Sequence, residues 1–175
     1  VNDLSGDTVP AIGPYTLFSV TGSITGYDAK NVLVDSSLAP AFNGASVSII
    51  GSDVVLIPQG VFWFTGANSA TWNDAGNWAT HPLGTPVATA IPGANDNVVI
   101  NANTFTNTLA LLGADQAAKS VNIVGTNSLT LPAGFKLTLG KYGVSTTSTA
   151  GNVVFNNNIE LSSNQTWVLQ SAVTS

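Results

Sequence analysis

"KSVNIVGTNSLTLPAGFKLTLG", Lys119 to Gly140, holds three short apolar strands and two polar corners in one run. The strands are "SVNIV" (Ser120 to Val124), "SLTL" (Ser128 to Leu131) and "KLTL" (Lys136 to Leu139). Between them lie "GTN" (Gly125 to Asn127) and "PAG" (Pro132 to Gly134), and a further corner, "FNNN", follows at Phe155 to Asn158. Gly and Asn tolerate the left-handed backbone of a tight corner, and an Asn in one coil can stack on an Asn in the next. From Asn97 onward the strands recur every 8 to 12 residues or so, a rhythm that sandwiches and solenoids share. Brevity and corner chemistry therefore decide. A strand with one inward pair suits a narrow solenoid core, so the expected fold is all-β, with a right-handed parallel β-helix (β-solenoid) over residues 93–175 and about three strands per coil.

Outward from this stretch, further strand patterns cover most of the chain. Tyr15 to Val20, Asn31 to Val34, Ala45 to Ile50, Asp53 to Ile57 and Asn97 to Ile100 alternate or are β-branched and end in turn residues. So do Thr108 to Leu112, Asn152 to Phe155, Ile159 to Leu161 and Thr166 to Leu169. The best helical window, Leu111 to Ser120, offers only about two turns. Residues 1–60 have longer alternating strands, and "SVTGSITGY" (Ser19 to Tyr27) reads as a turn-rich hairpin region. "DVVLIPQG" (Asp53 to Gly60) ends in Pro and Gly and marks a boundary. The expected organisation is a β-rich module at 1–60, a Trp-rich junction at 61–92 and coils at 93–175. Residues 1–14 read as a linker or as an arm donated to a neighbour.

Charge narrows the function classes. Only 7% of residues are charged, with four Lys, no Arg and nine acids, against about 25% in an average soluble protein. Asn, Thr, Ser and Gly must supply the polar surface, which suits an extended extracellular β protein. A net charge of -5 without arginine opposes nucleic acid and anionic membrane partners, since both require clustered cations. No cysteine is present, so neither a disulfide framework nor a thiolate metal site is available. No apolar run approaches the roughly 18 residues of a transmembrane helix, and the alternating segments are too short for an outer-membrane barrel. Without an initiating methionine or a signal segment, the chain reads as a mature product or an excised piece.

A larger pattern then emerges. "SDVVLIP", "FWFTGANSATWNDAGNWAT", "IPGANDNVVI", "KSVNIVGTNSLTLPAGFKLTLG" and "NNNIELSSNQTWVL" follow in that order through residues 53–170. This sequence resembles the passenger repeats of large bacterial surface proteins of the autotransporter-associated β-strand repeat type. The order and spacing of Trp63, Trp72, Asn77, Trp78, Pro92 and Asp96 carry the resemblance, whereas "LTL" strands are generic. It implies that residues 1–52 are the closing strands of a preceding module. It also implies a bacterial cell-surface location and neighbours that are adjacent repeats of a longer chain. The family's translocating barrel has no counterpart here, which implies a slice or repeat of a larger surface polypeptide.

Phe62 to Pro82 contains three of the four tryptophans and the one histidine. The structural reading makes Trp63, Phe64, Trp72, Asn77, Trp78, Pro92 and Asp96 a junction that covers the exposed strand edges where a module begins. Gly66, Gly76 and Asn77 would form the bends. A sugar platform is the alternative: Trp63, Trp72 and Trp78 would stack on pyranose rings beside Asn77, which requires two exposed, coplanar indoles.

Catalysis has little to build on. His81 with Asp74 or Asp96 and a serine is formally a triad, but no serine sits in a nucleophile elbow. The eight aspartates and Glu160 are scattered through turns, without the pairing that glycoside cleavage needs. "GANDN" (Gly93 to Asn97) lacks the carboxylate density of a calcium loop, and an Asx-turn explains Asp96 more simply. The run Asn156 to Asn158 reads as a corner ladder. A lysine–asparagine isopeptide assisted by Glu160 would suit a surface fibre, although no particular lysine is selected. The expectation is thus a non-catalytic extracellular structural protein, without metal or cofactor. As a surface fibre or stalk segment it would associate with itself through solenoid ends, head to tail or by strand exchange. The alternative is an adhesin that meets surface glycans through the Trp-rich loop.

Overall fold

The computed structural model describes residues 13–28, 45–104, 112–147 and 149–170. The described residues are all-β, with a single turn of 3-10 helix at Ala75–Asn77. Two compact units divide the chain, Val1–Gln59 and Gly60–Ser175.

In the first unit β1 (Tyr15–Ser19), β2 (Ser46–Ile50) and β3 (Asp53–Ile57) form an antiparallel sheet of order β1-β3-β2. Ile50 pairs with Asp53 across a two-residue turn, and Gly51 enters it at φ 63°. That positive φ matches the turn to the twist of the flanking strands. Val47, Val54 and Leu56 form the local core, joined by Tyr15, Ile24 and Tyr27, whose hydroxyl donates to the Val47 carbonyl. The expected hairpin over 19–27 is not formed. β1 pairs instead with β3, and Val20 N–H extends that ladder to Ser52 O at 3.0 Å, leaving residues 21–27 as bends.

The second unit contains nine strands among its described residues. They are β4 (Val61–Phe64), β5 (Trp78–Ala79), β6 (Asn97–Asn101), β7 (Gln116–Val124) and β8 (Leu129–Leu131). β9 (Lys136–Thr146), β10 (Val153–Phe155), β11 (Asn158–Leu161) and β12 (Val168–Leu169) follow. A mixed seven-stranded sheet runs β11-β9-β7-β6-β4-β5, with β12 also on β9, and a separate two-stranded sheet pairs β8 with β10. Every pairing is parallel except that of β4 with β5.

Register explains the interior. Val98 faces Val121 and Val121 faces Val144, and all three are fully buried. Beside them Asn97 faces Ser120 and Asn122 faces Ser145, with side-chain hydrogen bonds of 2.8 Å that each span 23 residues. Like side chains thus stack on like, and each buried polar group finds its partner in the next layer. β7 and β9 shift register between Ala118 and Ser120, so their first halves form one ladder and their second halves another. Gly140 lies at this corner, where a Cβ would come within 2.9 Å of Lys119 Cα.

Several local expectations change. Residues 116–120, the end of the best helical window at 111–120, are strand, and Gln116, Ala118 and Ser120 alternate inward. Val61–Phe64 is a strand of the same sheet as β6, and Thr166–Leu169 shortens to β12. The expected strand at 31–34, residues 1–12 of the expected arm, and all of the 108–112 strand except Leu112 lie outside the described residues; Leu112 itself is not in a strand.

Candidate functional site

The tryptophan-rich segment is built on β4. Trp63 and Phe64 are adjacent, so their side chains point to opposite faces of the strand, yet both are buried; the chain then turns away at Thr65, whose N–H and hydroxyl both donate to Asn77 O at 2.7 and 3.0 Å. Asp74 caps the 3-10 turn by accepting from Gly76 N–H at 2.9 Å. A Cβ on Gly76 would lie 2.0 Å from Asn68 Nδ2, so any other residue there would require the exposed Asn68 side chain to swing aside.

Asn77 is fully buried and uses its whole amide. Its Oδ1 accepts from Asn68 N–H and Ser69 N–H at 2.8 and 2.9 Å, and its Nδ2 donates to Ser69 Oγ and Thr71 O at 2.9 and 2.8 Å. A polar side chain is stable inside an apolar cluster when its donors and acceptors are all met. Asn77 therefore holds the loop 68–71 against the turn at 75–77.

The next residue, Trp78, sits at the centre of the cluster. Its indole N–H donates to Trp72 O at 2.7 Å. Its ring meets Trp72 edge-on at 4.9 Å and 68°, and Phe64 edge-on at 5.0 Å and 71°. Both Trp72 and Trp78 have no exposed surface, and Trp63 is buried. Trp72 Nε1 is itself buried without a hydrogen-bond partner among the described residues. This arrangement removes the sugar platform: the two indoles are neither exposed nor coplanar, and Asn77 has no free amide group for a hydroxyl.

β5 then returns antiparallel along β4, pairing Trp63 with Ala79 and Phe64 with Trp78. Ala79 also bridges to Val87, and Ala88 N–H donates to Trp78 O at 2.8 Å. The edge of β4 away from β6 is in this way occupied. Pro92 is buried, and Asp96 Oδ2 accepts from Gly93 N–H at 2.9 Å while its own N–H donates to Gly93 O. Those bonds form the turn that launches β6.

The candidate catalytic groups are dispersed into local backbone contacts. His81 Nδ1 accepts from Leu83 N–H at 3.2 Å, and partial burial holds its pKa below the usual histidine value. Asp74 and Asp96 serve the turns just described. Glu160 pairs with Lys136 Nζ at 2.5 Å on an exposed surface. Asn156 N–H donates to Leu131 O, Asn158 opens β11 opposite Lys136, and Asn157 is buried between them. Among the described residues no group of three or more His, Asp or Glu side chains is placed to hold a metal ion.

The sequence reading expected Asn stacking at the corners but did not identify the partners of the polar ladders. Asn103 Oδ1 accepts from Thr126 N–H and Asn127 N–H, both at 3.0 Å, and Asp115 Oδ1 accepts from Lys136 N–H at 2.9 Å. A usable signal was present, because "NVVIN" at 97–101 and "SVNIV" at 120–124 repeat polar-Val-x-Ile at the ladder spacing. Comparison with protein-family models, curated proteins and solved structures gave no match.

Proposed function

We propose that this chain is a non-catalytic structural segment of an extracellular surface protein, a stalk or fibre piece. In this reading the strands after residue 93 are coils of a parallel β-helix and residues 61–92 are its cap. One observation carries the reading: from β6 onward the parallel pairings advance by 21 to 24 residues, and the side-chain hydrogen bonds Asn97–Ser120 and Asn122–Ser145 each span 23. A chain that lays equivalent residues over one another in this way gains length by repetition, since each layer contacts only its neighbours. The low charge favours close packing beside other chains, and the resemblance to autotransporter-associated repeats supports a bacterial surface setting.

Duplicating residues 120–142 in tandem, one period of the ladder, tests the proposal. A stacked segment should accept the extra layer, keep its cooperative unfolding and lengthen by about 4.8 Å in small-angle scattering, the spacing of neighbouring strands. Loss of the folded state on duplication would overturn the stacked reading. Retention on a glycan array would replace the structural role with that of an adhesin.

A further inference from the structure

Of the eighteen asparagines in the chain, one alone is followed two places on by a hydroxyl residue: Asn164, in "NQT" (Asn164 to Thr166). Asn-x-Ser/Thr, with any residue but proline between, is the acceptor pattern for N-linked sugar. Asn68, Asn103, Asn107 and Asn127 carry their hydroxyl residue one place too early. The chain therefore offers a single such acceptor, for all its Asn, Ser and Thr.

A pattern becomes a site only where a transferase can reach it. Asn164 and Thr166 are both exposed, and Gln165 between them is half-buried. Gln165 is the anchor: its Nε2 donates to Leu139 O at 3.1 Å, and its Oε1 accepts from Trp167 Nε1 at 2.7 Å. The two residues a transferase reads thus flank a pinned one, as alternate positions of an extended chain do. Their exposure does not depend on where the chain stops. The loop joins β11, whose Leu161 pairs with Leu139, to β12, whose Val168 pairs with Ser145, so it overlies residues 140–144 of β9. That stretch already lies between layers, since β7 pairs with β9 on the other side, and Lys141 within it is still exposed. This corner opens sideways from the stack, and further chain laid on β11 and β12 would leave it open.

We propose that Asn164 is a site of N-linked glycosylation, with Thr166 as the hydroxyl that the transferase reads. The donor is a sugar activated at C1 as a diphosphate ester. Its C1–O bond breaks and the diphosphate leaves with the electron pair, while Asn164 Nδ2 gains the bond to C1 and gives up one proton to a base of the transferase. The product is a neutral, hydrated group in a stretch, residues 149–170, whose one charged side chain is Glu160. Sugar hydroxyls add there the polar surface that charge does not supply. This inference rests on the extracellular reading above and adds a specific covalent modification to it.

The test uses the full, folded chain with UDP-glucose and a soluble asparagine glucosyltransferase that accepts Asn-x-Ser/Thr. The intact mass should rise by one hexose, and peptide mapping should place it on Asn164. Asn164→Gln and Thr166→Ala should each abolish the addition and Thr166→Ser should keep it, with circular dichroism unchanged in all three. Modification of the urea-unfolded chain but not of the folded one would show that the loop is closed to a transferase and overturn the assignment. Equal modification of Thr166→Ala would overturn it too. Protein recovered from the cells that naturally make it should carry sugar on the same asparagine. If that protein lies on the cell surface with Asn164 bare, the assignment falls and the stalk reading stands. If it is retained inside the cell, the surface reading falls and this inference falls with it.

Discussion

Trp78 donates its indole N–H to the backbone carbonyl of Trp72 at 2.7 Å, while the two rings meet edge to face at 4.9 Å in a site without solvent exposure. The same pair supplies a hydrogen bond and an aromatic contact, yet only one of its two indole N–H groups is satisfied. This asymmetry makes the residues unequal. Trp78→Phe leaves the Trp72 carbonyl without its donor, whereas Trp72→Phe removes an N–H that has no partner among the described residues. Both substitutions create some void, but the Trp78 change should be more destabilising by about 1 kcal/mol. Urea unfolding of the two variants, monitored by circular dichroism, measures the difference.

Asn77 makes four hydrogen bonds from a fully buried amide. Asn77→Ala takes the partner from the N–H groups of Asn68 and Ser69 and the carbonyl of Thr71. The expected loss is about 1–2 kcal/mol, since the hydrogen bonds of a buried amide are removed while Asn68 and Ser69, both exposed, regain water. Hydrogen exchange should locate the damage: amides 65–78 lose protection first, because Asn77 ties that loop to β4. Uniform loss across β7 and β9 would instead mean that the junction and the ladder unfold as one.

Gly151 lies against the neighbouring layer, and a Cβ there would come within 2.6 Å of Asn127 C and O. The obstacle is backbone, which cannot rotate aside. Gly151→Ala should force β8 and β10 apart and cost about 1–3 kcal/mol, as overpacking of a tight site does. A lowered calorimetric midpoint with unchanged spectra is the expected result, and an unchanged midpoint would show that this corner yields freely.

The Lys136–Glu160 pair predicts an alkaline signature. Lys136 has its pKa raised above 10.5, first by its hydrogen bond to Glu160 and then by the carboxylate's charge. A lysine whose folded pKa is raised adds stability that is present in full below its unfolded pKa and is lost as pH rises through the folded one. Glu160→Gln should therefore flatten the decline in stability above about pH 10.5. Both side chains are substantially exposed, at 40% and 53%, so the neutral-pH effect should be small. Thermal melts from pH 8 to 11.5 on both proteins measure the slope.

The sequence by itself determined that the described chain is all-β and where most of its strands lie, because alternation, β-branching and Gly/Asn punctuation act locally. It also placed Trp63, Phe64, Trp72, Asn77 and Trp78 in one compact region, through the density of aromatics among turn residues. Partner choice required the tertiary structure. The assignment of Asn97 to Ser120 and Ser120 to Gly143 is a contact between residues far apart in sequence, and a one-residue slip would turn the whole pattern inside out. Local preference at Gln116–Ser120 was weakly helical, and the ladder overrode it by burying alternate side chains. Whether the indoles faced solvent or one another was likewise undecided until β5 folded back on β4, because a tryptophan's composition is the same on a sugar platform and in a core. Its burial depends on which backbone carbonyl lies within reach of the indole, and for Trp78 that carbonyl belongs to Trp72.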